Sequence, residues 1–378
     1  MFKLLKNAEC YSPEYQGRKD ILLAFDKIVE ISSVITADKL YHVEIIDCKD
    51  KIACPGFIDQ HVHISGGGGE EGPKSIIGPI GVNELISSGV TTVVGLLGAD
   101  SISKSMEGLL MKARSLESEG MTTFIYSGHY GIPTSTITGR IMSDVALIDK
   151  VIGAGEIAIS DYRSSNPSQH ELMKLAYEVL TGGMLGKKAG VMHLHVGNGK
   201  EGLGPLLELV EESDYPAAMF VPTHLNRNKA LFRQAVQYRA SGGNIDLTAG
   251  EYTEAGIPVP ECLKQLLDSG TGLDRVTVSS DGNGSGAGVS GKETGKVMAL
   301  FDDFKTAVHC YKLPLADVLK TVTSNVAGVL KLYPRKGRLA EGSDADIMLL
   351  DKLSLTLDML FVKGRLAVEK GTILPGSG

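Results

Sequence analysis

The sequence predicts an α/β protein: a (β/α)8 barrel of the TIM type, with a small β-sandwich domain built from both termini. Two observations lead to this prediction. Short apolar runs alternate with helix-like segments through the middle of the chain, whereas both ends consist of β-rich runs separated by polar turns. A doubly wound open sheet is the structural alternative. It is less favoured because no Gly-x-Gly-x-x-Gly motif opens a helix after the first run of the middle region.

The two ends of the chain are assigned to one small β domain, formed by residues 1–53 together with residues 338–378. Gly364 and Gly371 mark turns between its C-terminal runs. The predicted strands of this domain are 21–25, 27–31 and 41–46 near the N-terminus, and 346–350, 357–362 and 365–368 near the C-terminus.

The remaining segment, residues 54–337, is assigned to the barrel. It contains eight apolar runs, the number that a closed TIM-type barrel needs. The helix-like segments between the runs include 104–119, 143–152, 169–180 and 228–240. The eight predicted strands are 56–63, 91–97, 122–126, 156–160, 191–195, 219–224, 244–248 and 275–281.

Composition excludes several classes of protein. The 378 residues are 43% hydrophobic and 22% charged, which is typical of a globular chain and not of a disordered one. A formal net charge of −7 and the lack of a basic block argue against nucleic acid and anionic membranes as partners. Five cysteines without a Cys-x-x-Cys pair favour reduced thiols, and no segment resembles a signal peptide or a membrane span. We therefore expect a cytoplasmic protein.

Polar residues at the C-terminal ends of the barrel runs are the candidate functional residues, because all strand ends of a parallel barrel meet at one mouth. His61 and His63 share one face of the first run, since side chains alternate along a strand. Four imidazoles and two carboxylates from five strands suit divalent transition metals such as zinc, and six ligands can hold two ions. The predicted ligands are His61, His63, His195, His224 and Asp281, at the ends of their runs, and Glu156, which begins the fourth run.

One alternative to this ligand set concerns the fifth run, where His193 and His195 share a strand face. We favour His195 as the ligand because it lies at the strand end, directly before Gly197-Asn198-Gly199. His193 would lie one layer deeper in the barrel, where we expect a structural role.

Five stretches also carry a resemblance to a known family. The first is Pro-Gly-Phe-Ile-Asp-Gln-His-Val-His at residues 55–63; the others are residues 66–70, 93–98, 222–228 and 279–285, with Ala345-Asp346 near the C-terminus. The first stretch resembles the first metal motif of the amidohydrolase superfamily. The glycine-rich stretch with Glu70, and His224 followed by Arg227, resemble more narrowly the isoaspartyl dipeptidases (β-aspartyl peptidases). The resemblance covers nearly the whole chain.

The resemblance implies a binuclear metal site and a set of substrate contacts. His61 and His63 with Asp281 would hold one zinc ion, and His195 with His224 would hold the other.

On the substrate side, the resemblance implies that Glu70, helped by the Gly68 backbone, binds the α-ammonium of a dipeptide. Arg163 and Arg227 would bind its two carboxylates, and Ser285 would contact its isoaspartyl end. These roles are chemically sensible, because a guanidinium binds a carboxylate through two parallel hydrogen bonds and a carboxylate pairs with an ammonium.

The implied reaction is hydrolysis of the isopeptide bond of a β-aspartyl dipeptide. A hydroxide that bridges the two metal ions attacks the β-carbonyl, Asp281 accepts its proton and delivers it to the leaving amine, and Tyr130 stabilises the oxyanion. The expected partners are this small-molecule dipeptide and further copies of the chain in a homo-oligomer.

Two positions depart from the family pattern. The known members bridge the two metals with a carboxylated lysine in the fourth strand, and this chain has Glu156 at that position. We expect Glu156 to supply the bridging carboxylate without carbon dioxide, although its side chain is shorter. The second departure is Ala99 after Gly98, where a threonine is usual. Both departures bear on rate and substrate preference more than on the class of reaction.

Two other functions stay open at this point. The first is an amidohydrolase acting on a cyclic amide, similar to dihydroorotase or hydantoinase; Glu70 argues against it because a cyclic imide has no ammonium group. The second is a non-catalytic binding protein on an inherited barrel, and all six filled ligand positions argue against that.

Overall fold

A computed structural model describes residues 2–36, 42–285 and 294–374 of the chain. It contains an α/β barrel and a separate β-rich domain built from the two ends of the chain, which confirms the predicted fold class.

The β-rich domain is organised around one nine-stranded sheet. Its strands are β1 (Phe2–Tyr11), β2 (Tyr15–Ala24), β3 (Lys27–Ser32), β4 (Val43–Asp47) and β5 (Lys51–Pro55) from the N-terminal end, and β14 (Ile347–Asp351), β15 (Leu357–Val362), β16 (Arg365–Glu369) and β17 (Thr372–Ile373) from the C-terminal end. The order is β17-β16-β15-β14-β5-β1-β2-β3, with β4 also paired to β1. The antiparallel β5–β14 pair joins the two ends of the chain.

Strand β1 is central to this sheet, and the sequence analysis did not predict it. Its first half pairs with β4 and its second half with β5, and a register shift between Leu5 and Ala8 separates the two halves. Lysines and a glutamate alternate with its apolar residues, so that Leu5 and Ala8 are buried while Glu9 reaches Lys352 at the surface. These charges mask the apolar pattern of the strand in the sequence, whereas pairing with β2, β4 and β5 stabilises it in the sheet.

Eight parallel strands form the barrel, as predicted. In chain order they are β6 (Phe57–Val62), β7 (Val90–Gly95), β8 (Thr122–Ser127), β9 (Val151–Ile159), β10 (Val191–Val196), β11 (Phe220–Thr223), β12 (Ile245–Thr248) and β13 (Val276–Ser279). Strands β6 to β11 form one sheet, and β12 pairs with β13. A hydrogen bond from Leu225 N to Asp246 O (3.3 Å) links β11 to β12, and one from His63 N to Gly282 O (2.9 Å) links β6 to the end of β13.

Helices connect the barrel strands and continue beyond the last of them. They are α1 (Val82–Ser87), α2 (Met106–Ser118), α3 (Ile141–Leu147), α4 (Gln169–Gly186), α5 (Gly204–Glu212), α6 (Lys229–Ala240), α7 (Val259–Asp268), α8 (Met298–His309), α9 (Leu315–Val322) and α10 (Ser324–Val329). Ser168 and Asn228 begin α4 and α6 by accepting a hydrogen bond from a backbone N–H three residues later. No helix of the described ranges is both long and apolar enough to cross a bilayer.

The fourth barrel strand corrects two predicted boundaries. Helix α3 ends at Leu147, so the helix predicted over 143–152 is too long, and β9 starts at Val151 instead of residue 156. The strand can start this early because residue 153 is glycine, which lets β9 lie close against β10. Any side chain at Gly153 would place its Cβ 2.2 Å from the carbonyl oxygen of Val191 on β10. Glu156 therefore lies inside a fully buried strand, close to its C-terminal end.

Candidate metal centre and substrate site

The six predicted ligands converge at the C-terminal mouth of the barrel. His61, Glu156 and His195 lie on strands β6, β9 and β10. His63 and His224 follow directly after β6 and β11, and Asp281 lies two residues after the end of β13. All are buried except Asp281, whose side chain is 16% exposed. His224 and Asp281 have positive φ angles of 62° and 50°. Because non-glycine residues rarely adopt such angles, this strained backbone is consistent with a functional site.

The first group of ligand atoms surrounds one carboxylate oxygen of Asp281. His61 Nε2 lies 3.3 Å and His63 Nε2 lies 3.2 Å from Asp281 Oδ1. Glu156 Oε2 approaches the same two nitrogens, at 3.4 Å from His61 and 3.8 Å from His63. Two ligand atoms at about 2.05 Å from one tetrahedral zinc ion are about 3.3 Å apart, so these separations fit a shared divalent ion.

The second group uses the other oxygen of the same glutamate. Glu156 Oε1 lies 2.8 Å from His195 Nδ1 and 3.1 Å from His224 Nε2. The three atoms lie within 4.8 Å of one another, as do the atoms of the group formed by His61, His63 and Glu156. Glu156 is therefore the residue that the two groups share.

The hydrogen bonding of these residues tests whether they fit a metal. His61 Nε2, Glu156 Oε2 and Asp281 Oδ1 are buried and have no hydrogen-bond partner among the described residues. An unpaired buried polar atom normally costs about 1–3 kcal/mol. Three such atoms pointing at one another are explained by a cation between them, and imidazole with carboxylate is a donor set that divalent metals accept.

Electrostatics supports the same interpretation. Burial by itself would raise the pKa of Glu156 and Asp281, but the neighbouring imidazoles, above all His61, hold both well below their ordinary values. Burial, reinforced by Arg227, lowers the pKa of His224 to about 3. Both carboxyl groups are thus ionised and His224 is neutral near pH 7, the forms that bind a metal cation. Against the effect of burial, the same two carboxylates raise the pKa of His61 well above its ordinary value, so that a bound cation would take the place of a proton on this ring.

His193 lies deeper in the barrel than this centre, as predicted from its position. Its Nε2 lies 2.9 Å from His61 Nδ1, and its ring stacks on Tyr126. His61, His193 and Asp246 also form a compact cluster of possible ligands. Asp246, however, already accepts four hydrogen bonds, from Gln60 and from the hydroxyls of three barrel residues. This cluster therefore orients His61 and does not resemble an open metal site.

A cavity opens above the metal ligands, and every predicted substrate residue lines it. Tyr130 is buried, and its hydroxyl lies 2.9 Å from His195 Nδ1. Burial, and next the charge of Glu156, raise the pKa of Tyr130 well above its ordinary value, so the hydroxyl keeps its proton. The predicted residues on the cavity wall are Gly68, Glu70, Tyr130, Arg163, Arg227 and Ser285.

Charged side chains of opposite sign face each other across this cavity. Glu70 Oε1 lies 3.3 Å from Arg163 Nη1 and accepts a hydrogen bond from Ser285 Oγ at 2.8 Å. Arg163 also lies over the ring of Tyr130, with Cζ 5.3 Å from the ring centroid. Arg227 donates through Nη1 to the carbonyl oxygen of Val196 at 3.2 Å. The predicted substrate residues thus offer one carboxylate and two guanidinium groups to a ligand. Asp100 and Lys104 also line the cavity and pair with each other at 3.7 Å.

The glycine-rich stretch before Glu70 shapes the floor of the cavity. Gly68 has a φ of +69°, and a Cβ there would lie 2.2 Å from the carbonyl oxygen of Ser75. Gly98 faces the metal centre, since a Cβ there would lie 2.9 Å from His63 Cε1. Both positions need glycine for space, and at Gly68 for backbone conformation as well.

Sequence reasoning missed two residues that contact predicted ligands. Asp161 Oδ2 lies 2.9 Å from His195 Nε2, and Thr248 Oγ1 lies 2.8 Å from His224 Nδ1. Asp161 could have been noticed, because it stands two residues before Arg163 in the turn after β9. Thr248, the last residue of β12, carried no comparable indication.

Comparison with known proteins places this chain in a family. A sequence profile described as "Amidohydrolase family" matches residues 258–373. The crystal structure of a β-aspartyl dipeptidase from Fervidobacterium islandicum AW-1 is 42% identical to this chain, covers 99% of each chain and has a TM-score of 0.93. The complex of the Fervidobacterium protein with the β-Asp-Leu dipeptide is 41% identical, covers 99% of this chain and 98% of the other, and has a TM-score of 0.92.

Among curated proteins, a dihydroorotase from Elusimicrobium minutum is 22% identical over 98% of each chain. The Fervidobacterium structures are thus about twice as similar in sequence as this dihydroorotase, over the same share of the chain. The chain belongs to the β-aspartyl dipeptidases of the amidohydrolase family.

Proposed function

We propose that this protein hydrolyses the isopeptide bond of β-aspartyl dipeptides, and that two zinc ions, bridged by Glu156, occupy its metal centre. One observation supports this most strongly: the Glu156 carboxylate contacts two separate groups of histidines beneath a cavity whose wall includes Glu70, Arg163 and Arg227. The histidines and carboxylates suit divalent metals, and the charges on the cavity wall suit a dipeptide that carries one ammonium and two carboxylates.

Divalent ions held by the six ligands would supply Lewis acidity, which makes water a strong nucleophile near neutral pH. The chain contributes the proton transfers. Asp281 is ionised, is 16% exposed and borders the cavity, so it can accept the proton of the attacking water. The same carboxyl group then protonates the leaving amine of the isopeptide bond.

Tyr130 provides the hydrogen bond that the reaction needs as negative charge develops on the scissile carbonyl. Its hydroxyl is protonated, borders the cavity and lies beside the metal ligand His195. A donor of this kind, fixed in a site with little water, commonly contributes about a hundredfold to a thousandfold in rate.

Substrate binding replaces existing ion pairs and hydrogen bonds at the cavity wall. In the structure Glu70 pairs with Arg163 and Ser285. A substrate ammonium would take the place of these partners at Glu70, while its carboxylates bind Arg163 and Arg227. The Gly68 backbone, next to Glu70 on the cavity wall, would help to hold the ammonium.

Hydrolysis of a cyclic amide is the second candidate function, supported by the distant similarity to dihydroorotase. The site favours the dipeptide because Glu70 is a carboxylate on the cavity wall, and a cyclic imide has no ammonium group to pair with it. We also propose that the enzyme acts as a homo-oligomer in the cytoplasm; its five unpaired cysteines suit a reducing compartment.

The test is a comparison of substrates on one zinc-loaded preparation. β-Asp-Leu, α-Asp-Leu, N-acetyl-β-Asp-Leu and dihydroorotate are assayed side by side for kcat/KM. We expect β-Asp-Leu to be the best substrate. Acetylation should lower kcat/KM by about tenfold to a hundredfold or more, since it leaves Glu70 without its charged partner at a cost of about 1–3 kcal/mol.

Glu70→Gln is the matched variant for this experiment. It should lower kcat/KM for β-Asp-Leu and narrow the difference between the free and acetylated dipeptides. Faster turnover of dihydroorotate than of β-Asp-Leu would favour the second function, and equal turnover of the free and acetylated dipeptides would remove the proposed role of Glu70.

A further inference from the structure

Asp161 occupies a junction between the metal centre and the substrate cavity. It lies in the turn after β9, and its side chain is 4% exposed. Its Oδ1 accepts hydrogen bonds from the backbone N–H (2.8 Å) and Nε (3.0 Å) of Arg163, and its Oδ2 accepts one from Arg163 Nη2 (3.0 Å). The same Oδ2 lies 2.9 Å from His195 Nε2. One carboxylate therefore contacts a metal ligand and a substrate-binding arginine.

The contact with His195 bears on which ring nitrogen carries the proton. His195 Nδ1 faces Glu156 and belongs to the second group of ligand atoms. A neutral imidazole that binds a metal through Nδ1 must carry its proton on Nε2. Asp161 Oδ2 is the acceptor for that proton, and ligating histidines are commonly oriented by a carboxylate in this manner.

Two guanidinium groups beside the same nitrogen make this acceptor necessary. Arg163 Nη2 lies 3.3 Å and Arg227 Nη1 lies 3.4 Å from His195 Nε2. Guanidinium groups only donate hydrogen bonds, so they favour an unprotonated Nε2 and a proton on Nδ1, the nitrogen that faces the metal centre. Asp161 opposes this effect by accepting from Nε2 and by drawing the Arg163 guanidinium into its own paired hydrogen bonds.

We propose that Asp161 is a positioning residue that fixes the metal-binding tautomer of His195 and, with the same carboxylate, orients Arg163 over the substrate cavity. Metal affinity and substrate-carboxylate binding then depend on one side chain. The role of Arg163 rests on the function proposed above, whereas the effect on metal affinity does not.

Replacement by asparagine tests the proposal because it keeps the shape and removes one acceptor. If the amide oxygen faces Arg163, the amide NH2 donates to His195 Nε2 and forces the ring proton onto Nδ1. If the oxygen faces His195, the amide NH2 faces the Arg163 guanidinium, and two hydrogen-bond donors then oppose each other. In Asp161→Ala, water can still accept from Nε2. We therefore expect Asn to weaken zinc binding more than Ala does, the reverse of what a purely structural role predicts.

The experiment measures zinc affinity by competition with a chromophoric chelator, together with thermal unfolding and kcat and KM for β-Asp-Leu. Asp161→Asn should raise the zinc Kd by about 10–100-fold and also raise KM. Arg163→Met should raise KM while the zinc Kd stays within a few-fold of the wild type. Asp144→Asn is the structural control: Asp144 is a buried carboxylate whose hydrogen bonds go to Ser127, Ile137 and Thr138 and not to His195. It should leave the zinc Kd unchanged.

Wild-type zinc affinity in Asp161→Asn would overturn the proposal, as would a weaker effect of Asn than of Ala, or an equal loss in Asp144→Asn. The experiment distinguishes failure of this inference from failure of the proposed function. A chain whose zinc affinity depends on Asp161 but that does not cleave β-Asp-Leu would support this inference and refute the function. Turnover of β-Asp-Leu together with a zinc Kd indifferent to Asp161 would do the opposite.

Discussion

Replacing Glu156 with glutamine is expected to disable the metal centre without changing its shape. The glutamate is fully buried, and its two oxygens contact different histidine groups, at 2.8 Å and 3.1 Å through Oε1 and at 3.4 Å through Oε2. Glutamine has a single carbonyl oxygen, so it can serve only one group. Its NH2 would face the other group, where the ligand nitrogens must be free for a cation.

The size of the effect follows from the contacts that are lost. A buried interaction with a charged group contributes about 1.5–3 kcal/mol, and Glu156→Gln removes at least two of them, the pair on the side that its NH2 faces. The total of about 3–6 kcal/mol corresponds to about two to four orders of magnitude in metal affinity, since about 1.4 kcal/mol is a tenfold change. Activity should fall by a similar factor at limiting zinc.

The assay measures metal content by elemental analysis after dialysis, then kcat for β-Asp-Leu at increasing zinc. The wild type should hold about two ions per chain, and Glu156→Gln should lose at least one of them. Glu251→Gln is the matched control, because Glu251 is also nearly buried but hydrogen-bonds Thr253 Oγ1 (2.5 Å) instead of a ligand. It should keep both ions.

Bicarbonate separates a glutamate bridge from a carboxylated lysine. A glutamate is charged at neutral pH without modification, so wild-type activity should be the same in bicarbonate-free buffer. Glu156→Lys should regain part of the activity only with added bicarbonate, provided that the site accepts the longer side chain. If Glu156→Gln kept both ions and full turnover, the bridging role of Glu156 and the reasoning from its contacts would be refuted.

Three further predictions concern other parts of the chain. Tyr130→Phe should lower kcat for β-Asp-Leu by about 10²–10³ with little change in zinc content; an unchanged kcat would exclude its role at the carbonyl. Chelation should lower the midpoint of thermal unfolding, and added zinc should restore it, because the buried carboxylates of the centre then lack their cations. Lys336 is buried between Asp344 and Asp346. Lys336→Met should lower the free energy of unfolding by about 3–5 kcal/mol, whereas Lys264→Met, in an exposed helix pair, should lower it by less than about 1 kcal/mol.

Much of the fold could be predicted from sequence because its elements repeat a simple pattern. Each barrel strand is a short, largely apolar run, and eight such runs alternating with helices suffice to indicate the barrel. The boundary at Val151 could not be predicted in this way. Whether residues 151–155 extend the strand depends on the close approach of Gly153 to β10, which is a tertiary contact.

For the site, the sequence by itself determined the types of ligand and the mouth at which they meet. Alternation along β6 places His61 and His63 on one face, and the parallel arrangement brings in the residues that follow the other strands. Only the tertiary structure decided how the ligands are arranged in two groups. It shows that Glu156 contacts both histidine groups and that Asp161 lies between His195 and Arg163. The physical reason is that a strand pattern fixes the face on which a side chain lies, whereas hydrogen-bond partners and tautomers depend on distances set by closure of the barrel.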